Sequence, residues 1–352
     1  MALPYLAWLL LTAAARPYSG AESFEDPAPY TEVLAVHEPP DGLEAMAWTH
    51  DSRALWVGGF GGPLYLLDAT TAAISRRVPL RDENDLDALV LAPNGTLMAA
   101  LTDVPDILLI DLTTGRARRA ARLGDLDILD GPIAFSSNGA RIFGLHFDGD
   151  DDIAILEAWD VASGRSVGRR RLREPNADPD DFEGYTPTRV AGSHVFTDEE
   201  LLLVRPHPLR MCDGRGPHAA AGAVGWYGDG DGALRRLADC TVVRASSRVL
   251  TAAAPPFIQL AAEGTRAAFL IPGNDTITLG LVDLTADADL GRLALEPALA
   301  PTFAVAPDGS QIAVHYKQQD HTGVAHHVLT LWRPVAAPGA PVRRLDVHMS
   351  SP

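Results

Sequence analysis

Short apolar runs recur along the chain, and turn residues break them before they can build a helical stripe. Leu64-Tyr65-Leu66-Leu67, Ile107-Leu108-Leu109-Ile110 and Ile312-Ala313-Val314 are examples. Runs of this length read as buried strands, and no long segment carries the 3.6-residue period of an amphipathic helix. The breaks are alike. Thr49-His50-Asp51-Ser52, Ala92-Pro93-Asn94-Gly95, Ser136-Ser137-Asn138-Gly139, Ala261-Ala262-Glu263-Gly264 and Ala306-Pro307-Asp308-Gly309 each stand between two apolar runs. Asn-Gly and Asp-Gly suit these places because a tight hairpin turn needs positive φ. Phe196-Thr197-Asp198-Glu199 is a weaker copy.

A second marker follows each turn: an apolar strand ending in Asp or Trp, as at Asp68, Asp111, Trp159-Asp160, Asp283 and Trp332. Thr114-Gly115-Arg116 and Ser163-Gly164-Arg165 continue two of them, and an arginine-rich strand closes the unit. Each unit therefore reads as four short strands. The turn anchors at 51, 94 and 138, and those at 263 and 308, are spaced at about 40–45 residues, the period of a propeller blade, while longer gaps flank 198. These turns and strand ends resemble the WD40-like, YVTN and TolB-type β-propeller repeats of bacteria, across roughly residues 31–349. The resemblance implies an all-β fold: a single β-propeller of four-stranded antiparallel blades, seven in preference to six. Glu32–Val36 is expected to pair with the last blade and close the ring. The middle region, about 172–256, is expected to be irregular and rich in insertions.

Composition sharpens this picture in three ways. With 352 residues, 47% hydrophobic and 21% charged, the chain has ample apolar surface for a core. A net charge of −17 excludes general nucleic-acid binding, which needs cations against phosphates. Residues 5–15 form an uncharged run too short to span a bilayer but of signal-peptide length, with small residues at Ser19-Gly20-Ala21. The domain reading is therefore a signal peptide at 1–21 and one propeller at 22–352, periplasmic or secreted, monomeric, with no membrane span after processing.

Candidate chemistry is concentrated in carboxylates. By the resemblance, loops between strands two and three share a face with the loops between blades. That face receives Asp82 and Asp85, then Asp125, Asp127 and Asp130. Asp148, Asp150, Asp151 and Asp152 join them, followed by Asp178, Asp180 and Asp181. A surface of one sign attracts cationic partners, so a protein or other cationic ligand is the expected partner. No cofactor is expected beyond calcium, around which Asp148, Asp150 and Asp152 with Gly149 could supply hard oxygen donors, although the closing glutamate of a twelve-residue calcium loop is missing. His315 and His326 are expected to face each other across a hairpin, within reach of a shared transition metal, with His321 in the loop. Cys212 and Cys240, the only cysteines, are expected to be disulfide-bonded in an exported chain, two buried thiols being the alternative. No Gly-x-Ser-x-Gly elbow, His-Glu-x-x-His helix or phosphate loop is present. The reading that follows is a non-enzymatic binding scaffold. Its rival is a lactonase-like or quinoprotein-like propeller enzyme with a site at the channel mouth.

Overall fold

The computed structural model describes residues 30–37, 43–59, 63–80, 85–102, 106–122, 133–136, 138–148, 153–171, 189–191, 194–196, 201–203, 219–221, 224–226, 233–236, 241–244, 257–261, 264–272, 277–295, 299–319, 325–334 and 346–348. Every regular element among them is a strand. After β1 (Tyr30–His37), the first sheet holds β2 (Leu43–Trp48), β3 (Ala54–Gly59), β4 (Leu64–Asp68) and β5 (Ile74–Val78). The second holds β6 (Leu86–Leu91), β7 (Leu97–Thr102), β8 (Asp106–Asp111) and β9 (Arg116–Arg122). The third holds β10 (Ala134–Phe135), β11 (Arg141–Asp148), β12 (Ile153–Asp160) and β13 (Ser166–Arg171).

Two sheets of three-residue strands follow, in the region where the repeat is irregular. They are β14 (Arg189–Ala191), β15 (His194–Phe196) and β16 (Leu201–Leu203), then β17 (Ala219–Ala221), β18 (Val224–Trp226), β19 (Leu234–Arg236) and β20 (Val242–Arg244). β21 (Phe257–Ala261), β22 (Arg266–Pro272), β23 (Ile277–Asp283) and β24 (Ala288–Leu295) make the next sheet. The last contains β25 (Leu299–Val305), β26 (Ile312–Gln319) and β27 (Ala325–Pro334), with β28 (Asp346–His348) at its edge. Its order is β25-β26-β27-β1-β28, so β1 pairs antiparallel with β27 as its position in the sequence implied. Among the described residues the other sheets run antiparallel in chain order, five with four strands and β14–β16 with three.

Local chemistry explains both hairpin turns. At the turn between strands one and two, the Asn94 and Asp308 side chains accept a hydrogen bond from the amide two residues on, while Gly95 and Gly309 sit at φ 70° and 68°. Ser52 holds the same left-handed position in the first sheet at φ 60°. At the turn between strands three and four, the amide of Gly115 closes on the Asp111 carbonyl at 2.8 Å, as Gly164 does on Asp160 and Ala72 on Asp68. The strands between these turns are buried on both faces, because each sheet packs against its neighbours. Leu43, Leu55 and Leu67 of the first sheet meet Ala313, Leu329 and Leu331 of the last. Trp56, Leu64 and Ala45 meet Leu86, Met98 and Ile110 of the second. Each fully buried leucine or isoleucine contributes about 1.5–3 kcal/mol, so these inter-sheet layers hold most of the fold.

One row of the core is fitted around a missing side chain. Phe269, fully buried, stands opposite Gly280 on the next strand, and a Cβ added at Gly280 would lie 2.1 Å from its ring. On the far side Arg292 pairs with Gly280, and its guanidinium lies 5.7 Å from the same ring centroid. The glycine is therefore the slot that lets an aromatic ring lie across the sheet.

Between sheets, where no backbone ladder exists, single side chains take over. Gln259 on β21 donates to the Phe303 carbonyl at 2.8 Å and accepts from the Val305 amide at 3.1 Å, bridging to β25. Trp48 Nε1 donates to the Ala304 carbonyl at 2.9 Å, and the Asp308 amide donates to Ser52 Oγ at 3.1 Å. These bonds join the first sheet directly to the last.

Candidate functional site

The chemically richest part of the described structure is the set of turns that follow strand three of each sheet. Asp111 Oδ1 accepts from the Thr113 hydroxyl at 2.6 Å and from the amides of Thr113 and Thr114 at 2.7 and 3.0 Å. Asp68, Asp160 and Asp283 accept in the same way from Thr71, Ser163 and Thr285 with their neighbours. Such donors favour the charged form. The Thr113 hydroxyl, helped by the two amides, holds the Asp111 carboxyl down at about 2. Asp68, Asp160 and Asp283 are lowered too, first by the Thr71 amide, the Ser163 hydroxyl and the Ala286 amide respectively. These carboxylates serve their own turns.

The sign of the pH effect follows. A carboxyl depressed in the folded chain stabilises it above the unfolded pKa, and that contribution is lost as pH falls from about 4 towards 2. Asp111→Asn is therefore expected to be less stable than the parent at pH 7, with the gap closing near pH 2. Urea unfolding at both pH values measures it, and a gap unchanged in acid would remove the charge from the account.

Arginines reach over these turns from the preceding sheet. Arg76 on β5 donates to the Thr113 carbonyl at 3.2 Å, and Arg118 on β9 donates to the Val161 carbonyl. Arg244 reaches Thr285 Oγ1 at 3.1 Å, and Arg333 on β27 lies 3.4–3.5 Å from Thr70 and Ala69 of the first sheet. In the sequence Arg76 and Arg118 read only as members of the arginine-rich strands that close each unit. Their recurrence one repeat before an Asp turn was the signal available. Arg119 forms an ion pair with the buried Asp106 at 2.6 Å, so Asp106 is a structural partner.

The histidines require a correction. The hairpin pairs His315 with Leu329 and His326 with Gln318, three positions from the expected register. β26 runs on to Gln319 and the Ala313–Leu331 and Ile312–Trp332 core pairs fix the alignment, so His327 takes the place expected of His326. His315 is buried, and its Nε2 lies 3.0 Å from His327 Nδ1. The rings are within 14° of parallel and their centroids are 5.2 Å apart. That separation is close to the greatest such a nitrogen contact allows, so the imidazoles meet edge to edge in one plane rather than stacking. His327 Nδ1 also lies 3.2 Å from the Leu43 carbonyl of the first sheet. The carbonyl can only accept, so a proton on His327 Nδ1 serves both contacts, and His315 Nε2 then accepts. Head-on nitrogens at this distance suit a shared proton; a tetrahedral metal would need them turned towards a common third point.

The expected acidic face is represented by two residues. Asp85 immediately precedes β6, and Asp148 ends β11 opposite Ile153. Asp82, Asp125, Asp127, Asp130, Asp150, Asp151, Asp152, Asp178, Asp180 and Asp181 lie outside the described residues, as do His321, Cys212 and Cys240. Among the described residues no group of three or more His, Cys, Asp or Glu side chains is placed to hold a metal ion. No described helix is long and apolar enough to cross a membrane.

With this geometry in place, comparison with known proteins bears on the fold. No family model and no curated protein matches the chain. Its structure is similar to the β-propeller domain of Cps50 (Swd1) from Myceliophteria thermophila, with a TM-score of 0.51 and 13% identity. The match covers 87% of this chain and 99% of that one. At that identity the likeness speaks for the fold alone, and that fold is a β-propeller.

Proposed function

We propose that the chain is a seven-bladed, exported β-propeller that works as a non-enzymatic binding scaffold, offering an acidic loop face to a protein or other cationic partner. The blade number draws on adjacency: β2 lies beside β6, β6 beside β10, β10 beside β14, β14 beside β17, β17 beside β21, β21 beside β25, and β25 beside β2. Seven first strands in that cycle fit a closed ring. One observation carries the functional reading. At the turn ends of the strands the carboxylates are engaged by their own hydroxyls and amides. Runs of further acid stand in the segments that join β5 to β6, β9 to β10, β11 to β12 and β13 to β14, which together hold fourteen Asp and Glu residues. In an antiparallel blade all four segments leave from the opposite strand ends, so they gather charge of one sign there.

Titrating octalysine into the parent and into a variant carrying Asp150→Asn, Asp151→Asn and Asp152→Asn tests this. The parent is expected to bind in low salt and release as salt rises, and the variant to bind several-fold more weakly. Equal binding by both proteins, or none by the parent, would overturn the acidic-face reading. Calcium belongs to the same proposal: it should raise the melting temperature of the parent and leave the variant unmoved.

A further inference from the structure

The outer strands of the first three sheets carry cations and no carboxylate: Ile-Ser-Arg-Arg-Val in β5, Arg-Ala-Arg-Arg-Ala-Ala-Arg in β9 and Ser-Val-Gly-Arg-Arg-Arg in β13. In a chain of net charge −17 this is a local reversal of sign. Some of these arginines are already committed. Arg76 and Arg118 reach the next sheet, Arg119 holds Asp106, and Arg77 lies 5.9 Å from the Tyr65 ring centroid. Arg116, Arg165 and Arg169 are exposed, and their guanidinium groups form none of the described hydrogen bonds or ion pairs. Outer-strand arginines elsewhere are engaged: Arg244 on Thr285, and Arg292 on Asp289 at 2.6 Å. Protection of a sheet edge needs only charge and would spread around all outer strands. The free guanidinium groups instead collect on the second and third sheets.

Their relative position is built in. Arg116 and Arg165 directly follow Gly115 and Gly164, the left-handed residues of equivalent Asp turns at φ 71° and 67°. The two turns are tied together by Arg118 on the Val161 carbonyl. The approach is close: a Cβ on Gly164 would lie 2.5 Å from the Ala120 carbonyl oxygen. Asp111 and Asp160 stand near these arginines, but the bonds described for them, all to Oδ1, come from Thr113, Thr114 and Ser163 of their own turns. A guanidinium presents paired N–H groups that match the oxygens of phosphate, and fixed spacing across two sheets favours a ligand with repeated anionic groups. The overall negative charge repels a long rigid polyanion and leaves room for a flexible one that follows the rim.

We propose that the outer strands β9 and β13, with Arg165 at the turn between β12 and β13, form a docking surface for a flexible linear polyanion whose repeating groups are phosphates. The test titrates inorganic polyphosphate into the full chain at about 50 mM salt, where phosphate contacts are strong. A second titration uses a variant with Arg116→Gln, Arg165→Gln and Arg169→Gln, which spares Arg76, Arg118 and Arg119. The parent is expected to bind, and the variant to bind at least tenfold more weakly with an unchanged melting temperature. Its slope of log affinity against log salt should be shallower by about two. If the triple variant melts lower, Arg116→Gln and Arg165→Gln singly carry the comparison, each expected to weaken binding by a smaller factor at the parent's melting temperature. The Asp150–Asp152 variant should bind polyphosphate at least as well as the parent, so this surface stands or falls apart from the acidic face. Absence of binding by the parent, or equal binding by the arginine variants, overturns the proposal. Tighter binding of a sulfated polysaccharide or of duplex DNA than of polyphosphate overturns its choice of ligand.

Discussion

Phe269→Ala is expected to destabilise the fold by about 3–5 kcal/mol, the cost of removing a buried aromatic ring and leaving its cavity. The ring is fully buried among Leu260, Ala267 and Val282, and it lies over a glycine that has no side chain to collapse into the space. Arg292 loses its aromatic partner at the same time. The converse change should also be harmful: Gly280→Ala places a Cβ 2.1 Å from the ring, which must then leave its position, costing about 1–3 kcal/mol. The double variant Phe269→Ala with Gly280→Ala provides the deciding measurement. Each change removes the reason the other is costly, so its loss should fall well below the sum of the two single losses. Additive losses in urea unfolding would mean that ring and glycine do not act as one unit.

A chain lacking residues 1–37 is expected to melt about 10 °C lower and to self-associate. Seven register pairs tie β1 to β27, and at about 0.5–1.5 kcal/mol per net hydrogen bond their loss exceeds several kcal/mol. Trp48 on Ala304 and Ser52 on Asp308 remain, so the first and last sheets stay in contact and the truncated chain should still fold. Its exposed liability is the bare edge of β27, a strand that includes Val328, Leu329, Leu331 and Trp332. Differential scanning calorimetry and size-exclusion chromatography read the two effects. A truncated chain that stays monomeric at the parent's melting temperature would show that β1 contributes little to the last sheet.

What the sequence disclosed was the chemistry of neighbours. Asn94-Gly95 and Asp308-Gly309 specify their turns through an amide two residues away, and Asp111 with Thr113 does so within three, so both turn types were readable. The four-strand unit and the pairing of the early strand followed from the same local signals. Contacts between residues one repeat apart were not readable in this way. Whether Arg118 meets solvent or the Val161 carbonyl depends on how two sheets approach, and nothing beside Arg118 in the chain records that. The histidine hairpin failed for a related reason. Loop length alone cannot fix a register that the Ala313–Leu331 and Ile312–Trp332 pairs decide, and a slip by an odd number exchanges His326 for His327. Among the carboxylates, the burial of Asp106 against Arg119 on the neighbouring strand has no local mark in the sequence either.

Gln259 shows what this way of joining sheets means for the molecule under load. Its carboxamide gives one donor and one acceptor to a strand of the neighbouring sheet, the same pair of bonds that a single peptide unit gives to a ladder. Within a sheet such rungs are repeated and share tension; among the described bonds this junction adds only the Arg266 guanidinium, which donates to the Gly309 carbonyl at 2.8 Å. The molecule thus resembles stiff plates laid face to face and pinned by a few rivets of side-chain length. Strain entering at any rim will concentrate at a fastening, and a plate will tilt before it unravels. Breathing of the assembly is then set residue by residue at its seams, where a one-atom change from amide to carboxylate removes the donor and leaves both plates intact.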